Sequence, residues 1–134
     1  MKEFDTNKKC IFVCEDEPAI TKVYQRVING LGYTVDISEN GNIAREMLGE
    51  KDYELIFLDI RTPGMNGDEL YRWLKEKYPL KAGKAVFATG DTVSGSTQAF
   101  LEASGRPFLP KPFTPSELRT IIDKTLRQTN QDGI

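Results

Sequence analysis

The chain has 134 residues, enough for one compact domain with a hydrophobic core and too few for two ordinary domains. Its 18 basic and 20 acidic residues give a formal net charge of -2, and it contains no run of Lys or Arg that would follow a nucleic-acid backbone. No apolar stretch approaches the roughly 20 residues that span a bilayer, and residues 1–9 are too polar for a secretory signal. We therefore expect one cytoplasmic domain that neither binds nucleic acid directly nor inserts into a membrane.

The two cysteines, Cys10 and Cys14, lie in an apolar run that is typical of a buried strand. A spacing of four along a strand places both side chains on one face about 13 Å apart, which is too far for a disulfide. The chain has no histidine that would complete a metal site with them. We therefore expect both thiols to pack in the core of a protein kept in a reducing compartment.

Five short apolar runs alternate with helical patterns from one end of the chain to the other, without an internal repeat or a flexible linker. The composition of these runs favours strands, and each is followed by the period of an amphipathic helix. The predicted strands are residues 10–14, 33–37, 55–58, 85–88 and 107–109.

The helical segments carry recognisable start and stop signals. Asn40 is expected to cap the second helix, and Pro79 is expected to end the third. Thr114 and Glu117 have the spacing of a capping box at the start of the last helix. The apolar stripe of the second helix predicts a buried face formed by Ile43, Ala44, Met47 and Leu48.

Five alternating strand–helix units indicate a parallel sheet, because parallel neighbours need right-handed helical crossovers. We expect an α/β protein with a flavodoxin-like (βα)5 fold, in which a doubly wound five-stranded parallel sheet forms the middle of a three-layer α/β/α sandwich. The sequence places this domain at residues 8–128, between an N-terminal tail at 1–7 and a C-terminal tail at 129–134.

Acidic residues follow two of the predicted strands. In an open α/β sheet the functional crevice lies beyond the carboxyl ends of the strands, where Glu15, Asp16 and Asp59 would meet. Three converging carboxylates repel one another unless a cation or a proton relieves them. Mg2+ prefers oxygen ligands, keeps several waters and suits an open acidic rim. We therefore expect Mg2+ at these three residues.

Asp59 is the candidate nucleophile of this edge. A carboxylate can attack phosphorus and form an aspartyl phosphate when the phosphoryl group is held in line and its charge is stabilised. Lys111 would set its ammonium against one phosphoryl oxygen, and Thr89, which precedes Gly90, would donate its hydroxyl to another. Taken singly, such residues are more often turn formers, helix-dipole partners or solvated charges, so the hypothesis depends on their joint occurrence at strand ends.

The segments CIFVCEDEP, LIFLDIRTPGMNG, VFATGD and FLPKPF resemble, in order and spacing, the motifs of response-regulator receiver domains. The resemblance implies that Asp59 accepts a phosphoryl group from a histidine kinase or a histidine phosphotransfer domain, in a two-component phosphorelay that uses Mg2+. It also implies that the backbone carbonyl of Arg61 completes the metal site. Phe108 would be a switch aromatic that swings inward when Thr89 moves toward the phosphate, with ordinary core packing as the alternative.

Two further expectations come with the resemblance. Many family members carry two aspartates where this chain has Glu15 and Asp16, so Asp16 would be the direct ligand and Glu15 would act through water. Arg61 and Asp91 would flank the approach of water to the phosphoryl group and set its lifetime. The alternative for Arg61 and Asp91 is a pair of solvated charges that never meet.

Residues 88–113 look particularly like the C-terminal receivers of hybrid sensor histidine kinases. The resemblance thus implies a signalling domain that promotes only its own phosphorylation and dephosphorylation. A single-domain regulator and a piece of a hybrid kinase would look alike in this sequence. The expected oligomeric state is a monomer or a weak dimer.

Three other functions fit the sequence less well. A haloacid-dehalogenase-type phosphatase needs an acid two residues after its nucleophile, and here that position is Arg61. A flavodoxin-like FMN site needs a Ser-, Thr- and Gly-rich phosphate loop, whereas the segment EDEP after the first strand would repel phosphate. A receiver-like module that binds partners without phosphorylation is disfavoured because every chemical position is filled.

Overall fold

Five stretches rich in apolar residues form one parallel sheet in the computed structural model, which describes residues 9–90 and 95–132. The order across the sheet is β2-β1-β3-β4-β5, and each neighbouring pair is parallel. This is the flavodoxin-like arrangement that the sequence predicts. The strands are β1 (Cys10–Cys14), β2 (Thr34–Ser38), β3 (Ile56–Asp59), β4 (Ala85–Thr89) and β5 (Phe108–Pro110).

Helices cover both faces of the sheet, as right-handed crossovers require. Two helices, α1 (Pro18–Gly30) and α6 (Pro115–Asp132), pack against one face. The opposite face is covered by α2 (Gly41–Glu50), α3 (Gly67–Lys77), α4 (Pro79–Ala82) and α5 (Gly95–Ser104). None of the helices among the described residues has the length and apolar character needed to cross a bilayer.

The middle strands are apolar at consecutive positions because both of their faces are covered. Side chains alternate between the two layers, so that Phe12 and Phe87 face α2–α5 whereas Val13 and Phe57 face α1 and α6. Cys10 and Cys14 are buried on the α2–α5 side as free thiols, which confirms that they pack in the core.

Two details of the helices differ from the sequence-based expectations. Pro79 follows α3 but also begins the short helix α4, because a proline is tolerated in a first helical turn. Ile43 is 55% exposed instead of buried. The buried line of α2 runs through Gly41, Ala44 and Leu48, and Ile43 lies about a third of a turn away from it.

The signals at the other helix ends are confirmed. The Asn40 side chain accepts the backbone N–H groups of Asn42 and Ile43, and Thr114 and Glu117 exchange side-chain and backbone hydrogen bonds at the start of α6. Helix α6 continues to Asp132, beyond the predicted domain boundary at residue 128. The predicted tail at residues 1–7 lies outside the described residues.

Candidate functional site

The carboxyl ends of the strands bring the predicted site residues to one edge of the sheet. Parallel pairing sets the last residue of β1, Cys14, beside Leu58 of β3, so Glu15 emerges next to Asp59. On the other side of β3, Asp59 is paired with Ala88, the residue before Thr89. The positions of Glu15, Asp59 and Thr89 therefore follow from the strand register.

Glu15, Asp16 and Asp59 form an acidic cluster. Each offers a carboxylate oxygen, and these oxygens lie within 4.8 Å of one another. Glu15 is fully buried, Asp59 is 5% exposed, and Asp16 is partly accessible. A set of carboxylate oxygens with one side open to solvent matches the preference of Mg2+ for oxygen ligands and retained waters.

Lys111 reaches into this cluster from the segment after β5. Its Nζ lies 2.8 Å from Asp59 Oδ2, 3.1 Å from Glu15 Oε1 and 3.4 Å from Glu17 Oε1. Its backbone N–H donates to the Thr89 carbonyl at 2.8 Å, which fixes the segment against β4. Burial disfavours the ammonium, but the hydrogen bond and the charge of Asp59 outweigh it, so the pKa of Lys111 is raised above its usual range.

The folded environment of Glu15 disfavours its charged form. Burial, and then the charge of Asp59, raises the pKa of Glu15 above its ordinary value despite the opposing effect of Lys111. Glu15 Oε2 accepts the Glu17 N–H at 3.2 Å. Glu15 Oε1 makes no hydrogen bond to the described residues, although Lys111 Nζ is within ion-pair distance. A cation or one of its waters would satisfy this buried oxygen, so the residues present fit a Mg2+ site.

Both carboxylate oxygens of Asp59 are held. Oδ2 accepts from Lys111 Nζ, and Oδ1 accepts the Arg61 N–H at 3.1 Å. The first residue of α3, Gly67, packs directly on Asp59, since a Cβ added to Gly67 would lie 2.4 Å from the Asp59 carbonyl oxygen. The candidate nucleophile is therefore fixed in orientation by its neighbours on both sides.

The other predicted residues occupy different positions around the cleft. Thr89 ends β4 and is buried, whereas Arg61 is exposed and lines the cleft with Gly90. Phe108 is 42% exposed, so the alternative of ordinary core packing is wrong for this structure. Asp91, the second half of the predicted lifetime gate, lies outside the described residues.

The structure adds two residues that the sequence reasoning missed. Glu17 lines the cleft and contacts Lys111. Its place as the third acidic residue of the EDEP segment could have indicated a role at the site. Thr62 is buried, and its hydroxyl donates to the Met65 carbonyl at 3.4 Å. No local pattern marks Thr62, because the contact depends on how the loop after β3 folds back on itself.

Cys14 lies beside the acidic cluster but is chemically quiet. Burial raises its pKa to about 12, a hydrogen bond with Thr62 opposes this only partly, and the charge of Asp59 adds to the increase. The thiolate is the nucleophilic form, and this environment suppresses it. Cys14 therefore acts as a packing residue beneath the site.

Comparison with known proteins agrees with this arrangement. Residues 11–123 match the model of the response regulator receiver domain family. The transcriptional regulatory protein ResD of Bacillus subtilis (strain 168) is 31% identical over 126 residues, which cover 94% of this chain and 51% of ResD. The chain thus spans about half the length of this relative.

Solved structures show the same fold. A CheY-like receiver domain protein from Methanospirillum hungatei JF-1 superposes with a TM-score of 0.83 at 23% identity, covering 94% of this chain and 99% of that one. The receiver domain of the sensor histidine kinase PA1611 from Pseudomonas aeruginosa PAO1, solved with magnesium in its active-site cleft, gives a TM-score of 0.78 at 24% identity, covering 89% of this chain and 98% of that one. Because the family match extends over most of the sequence, this chain belongs to the response regulator receiver domain family.

Proposed function

We propose that this chain is the phosphoacceptor domain of a two-component phosphorelay, with Asp59 as the residue that is phosphorylated. The observation that carries the proposal is the Asp59 carboxylate, which is held between the Lys111 ammonium and the Arg61 N–H inside the acidic cluster. A fixed carboxylate beside a cation site is suited to attack on phosphorus, because positioning and charge stabilisation supply most of the catalysis of phosphoryl transfer.

Glu15, Asp16 and Asp59 would hold Mg2+ together with the backbone carbonyl of Arg61, with Glu15 acting through water. The bound ion would offset the charge of the cluster and of the incoming phosphoryl oxygens. Fully buried Glu15, with one oxygen lacking a hydrogen bond to the described residues, supports this assignment.

The phosphodonor is a phosphohistidine of a histidine kinase or a histidine phosphotransfer domain. An Asp59 oxygen forms the new bond to phosphorus while the bond from phosphorus to the imidazole nitrogen breaks, and the bonding electron pair stays on that nitrogen. Lys111, which pairs with Asp59 Oδ2 before the reaction, then pairs with a phosphoryl oxygen. The Asp59 carboxylate becomes an acyl phosphate.

The signal leaves the site through Thr89 and Phe108. The Thr89 hydroxyl donates to a phosphoryl oxygen, and its movement opens space into which Phe108 turns. Phe108 is half-exposed in a surface cavity that it shares with Gln98, Leu101 and Glu102 of α5, which supports its proposed assignment as the outward state of the switch. Phosphorylation would shift the balance between outward and inward states.

Arg61 and Asp91 are proposed to limit the access of water to the acyl phosphate and so to set its lifetime. Arg61 lines the cleft beside Asp59, which supports its half of the gate. A rise of 1.4 kcal/mol in the hydrolysis barrier corresponds to about a tenfold longer lifetime.

We further propose that the domain works in the cytoplasm as a signalling module, without a separate substrate and without direct contact to nucleic acid. Its place in a larger protein would be the C-terminal receiver of a hybrid histidine kinase, an arrangement that the resemblance of residues 88–113 to such receivers supports. The alternative is a receiver that forms part of a transcriptional regulatory protein, and the match to about half the length of ResD supports it.

Intact-protein mass spectrometry with acetyl phosphate tests the proposed function. With Mg2+ we expect the mass of one phosphoryl group to be added, and no addition without Mg2+ or in Asp59→Asn. A matched control is Asp52→Asn, which changes a carboxylate that is 89% exposed and that lies before β3, whereas Asp59 is the last residue of that strand. An unmodified wild-type protein, or full modification of Asp59→Asn, would refute the proposal.

A further inference from the structure

The loop of residues 60–66, between β3 and α3, rests on the first turn of α2. We propose that Gly41, the first residue of α2, is a positioning residue that holds this loop in the geometry required by the metal site. The inference rests on the proposed Mg2+ site and adds to it a residue that contributes no ligand.

Gly41 is in direct contact with the loop backbone. Its N–H donates to the Pro63 carbonyl at 2.9 Å. A Cβ added to Gly41 would lie 1.7 Å from the Met65 carbonyl oxygen and 2.6 Å from the carbonyl carbon. Gly41 is not among the glycines with positive φ, so the position needs glycine for space and not for backbone conformation. Any side chain there must displace the loop.

The loop meets the same helical turn with a second glycine. Gly64 has φ +77°, and a Cβ added to it would lie 2.6 Å from Asn40 Oδ1 and 2.9 Å from Asn42 Nδ2. Asn40 cannot retreat easily, because its Oδ1 accepts the Asn42 N–H at 2.7 Å as the cap of α2. The loop and the helix therefore approach each other closely at two points.

A short chain of contacts connects Gly41 with the site. The Met65 carbonyl oxygen that abuts Gly41 also accepts the hydroxyl of Thr62. Thr62 follows Arg61, whose N–H holds Asp59 Oδ1 and whose carbonyl is the proposed metal ligand. Displacement of Met65 by a side chain at position 41 would thus disturb Thr62 and then Arg61. The first turn of α2 thus positions the loop near Met65, and Gly67 of α3 positions the start of the loop at Asp59 and Ile60.

Gly41→Ala and Gly49→Ala form a matched pair that tests this role. Both substitutions add one methyl group to α2, but a Cβ at Gly49 would meet only Tyr78 Oη, at an ordinary 3.7 Å. We expect Gly41→Ala to weaken Mg2+ binding at least fivefold in isothermal titration calorimetry and to shift the amide signals of Arg61 and Thr62 even without metal. Gly49→Ala should match the wild type in both measurements. A folded Gly41→Ala protein with wild-type Mg2+ affinity would overturn the proposal.

Thr62→Val keeps the test decisive if Gly41→Ala does not fold. This variant removes the hydroxyl link to Met65, together with the hydrogen bond to Cys14, without crowding the loop. It should therefore also weaken Mg2+ binding and shift the Arg61 amide signal. Unchanged affinity and an unchanged signal in Thr62→Val would then overturn the proposal. A wild-type protein that binds no Mg2+ would instead refute the proposed metal site, and the two failures are therefore distinguishable.

Discussion

Strands β1 and β3 contain two kinds of buried residue whose energetic consequences are opposite. Within the strands, Val13 and Phe57 are fully buried and apolar, and each such side chain contributes about 1.5–3 kcal/mol to stability. At the strand ends, Glu15 and Asp59 are also buried but carry carboxylates, whose removal from water is costly unless they are paired. Burial at this edge therefore has a cost in stability.

Lys111 offsets only part of this cost. Its ammonium contacts three carboxylates, those of Glu15, Glu17 and Asp59, so negative charge remains in excess among these groups. The raised pKa of Glu15 is the direct consequence of burial and of the neighbouring Asp59 charge. A divalent cation would relieve the excess. Substitutions within the strands should hence change the free energy of unfolding through lost packing. At the strand ends, the free energy of unfolding should depend on charge, pH and Mg2+.

The largest loss of stability is expected in the body of β3. Phe57→Ala removes a fully buried ring whose centroid lies 5.2 Å from that of the Tyr24 ring, so the free energy of unfolding should fall by about 3–5 kcal/mol. Urea denaturation measures this loss, and added Mg2+ should change it little. If Phe57→Ala lost less stability than changes at the strand ends, the contrast between the two regions would be wrong.

Lys111→Met should cause the second-largest loss of stability. The substitution keeps an apolar stem but leaves buried carboxylates without their ammonium, so we expect a loss of about 3 kcal/mol in metal-free buffer. Mg2+ should restore part of this loss because it replaces the missing positive charge. Lys77→Met, at an exposed position of α3, is the control and should be nearly neutral. Equal stability of Lys111→Met and the wild type would count against the proposed charge balance.

Glu15→Gln should raise the free energy of unfolding, unlike the two substitutions above. The expected gain is smaller, roughly 1 kcal/mol at neutral pH. Because the pKa of Glu15 is raised in the folded state, the folded protein binds a proton that the unfolded chain has released. This stabilisation is complete below the ordinary pKa of 4.5 and is lost as the pH rises through the raised value. Unfolding free energies measured from pH 4 upward should therefore fall more in the wild type than in Glu15→Gln. If the unfolding free energies of the two proteins changed with pH in parallel, the raised pKa of folded Glu15 would be contradicted.

Most of the fold was predictable because its signals are local and topology restricts the rest. Consecutive apolar residues marked the strands, and the carboxyl ends of parallel strands necessarily brought Glu15, Asp59 and Lys111 to one edge. The exposure of Ile43 was not predictable from the apolar stripe alone, since it depends on where α2 meets the sheet and the loop after β3. The contact of Gly41 with Met65 was hidden for the same reason, because it joins segments that are distant in sequence.

Magnesium-dependent stability tests most directly the claim that the acidic strand ends exist to bind a cation. Chemical denaturation of the wild type should give a higher unfolding free energy with Mg2+, by about 2.7 kcal/mol when the ion is present at 100 times its Kd. NaCl at equal ionic strength should not reproduce the gain, and Asp16→Asn should lose most of it because one proposed ligand is removed. An unfolding free energy that is the same with and without Mg2+ in the wild type would contradict the account.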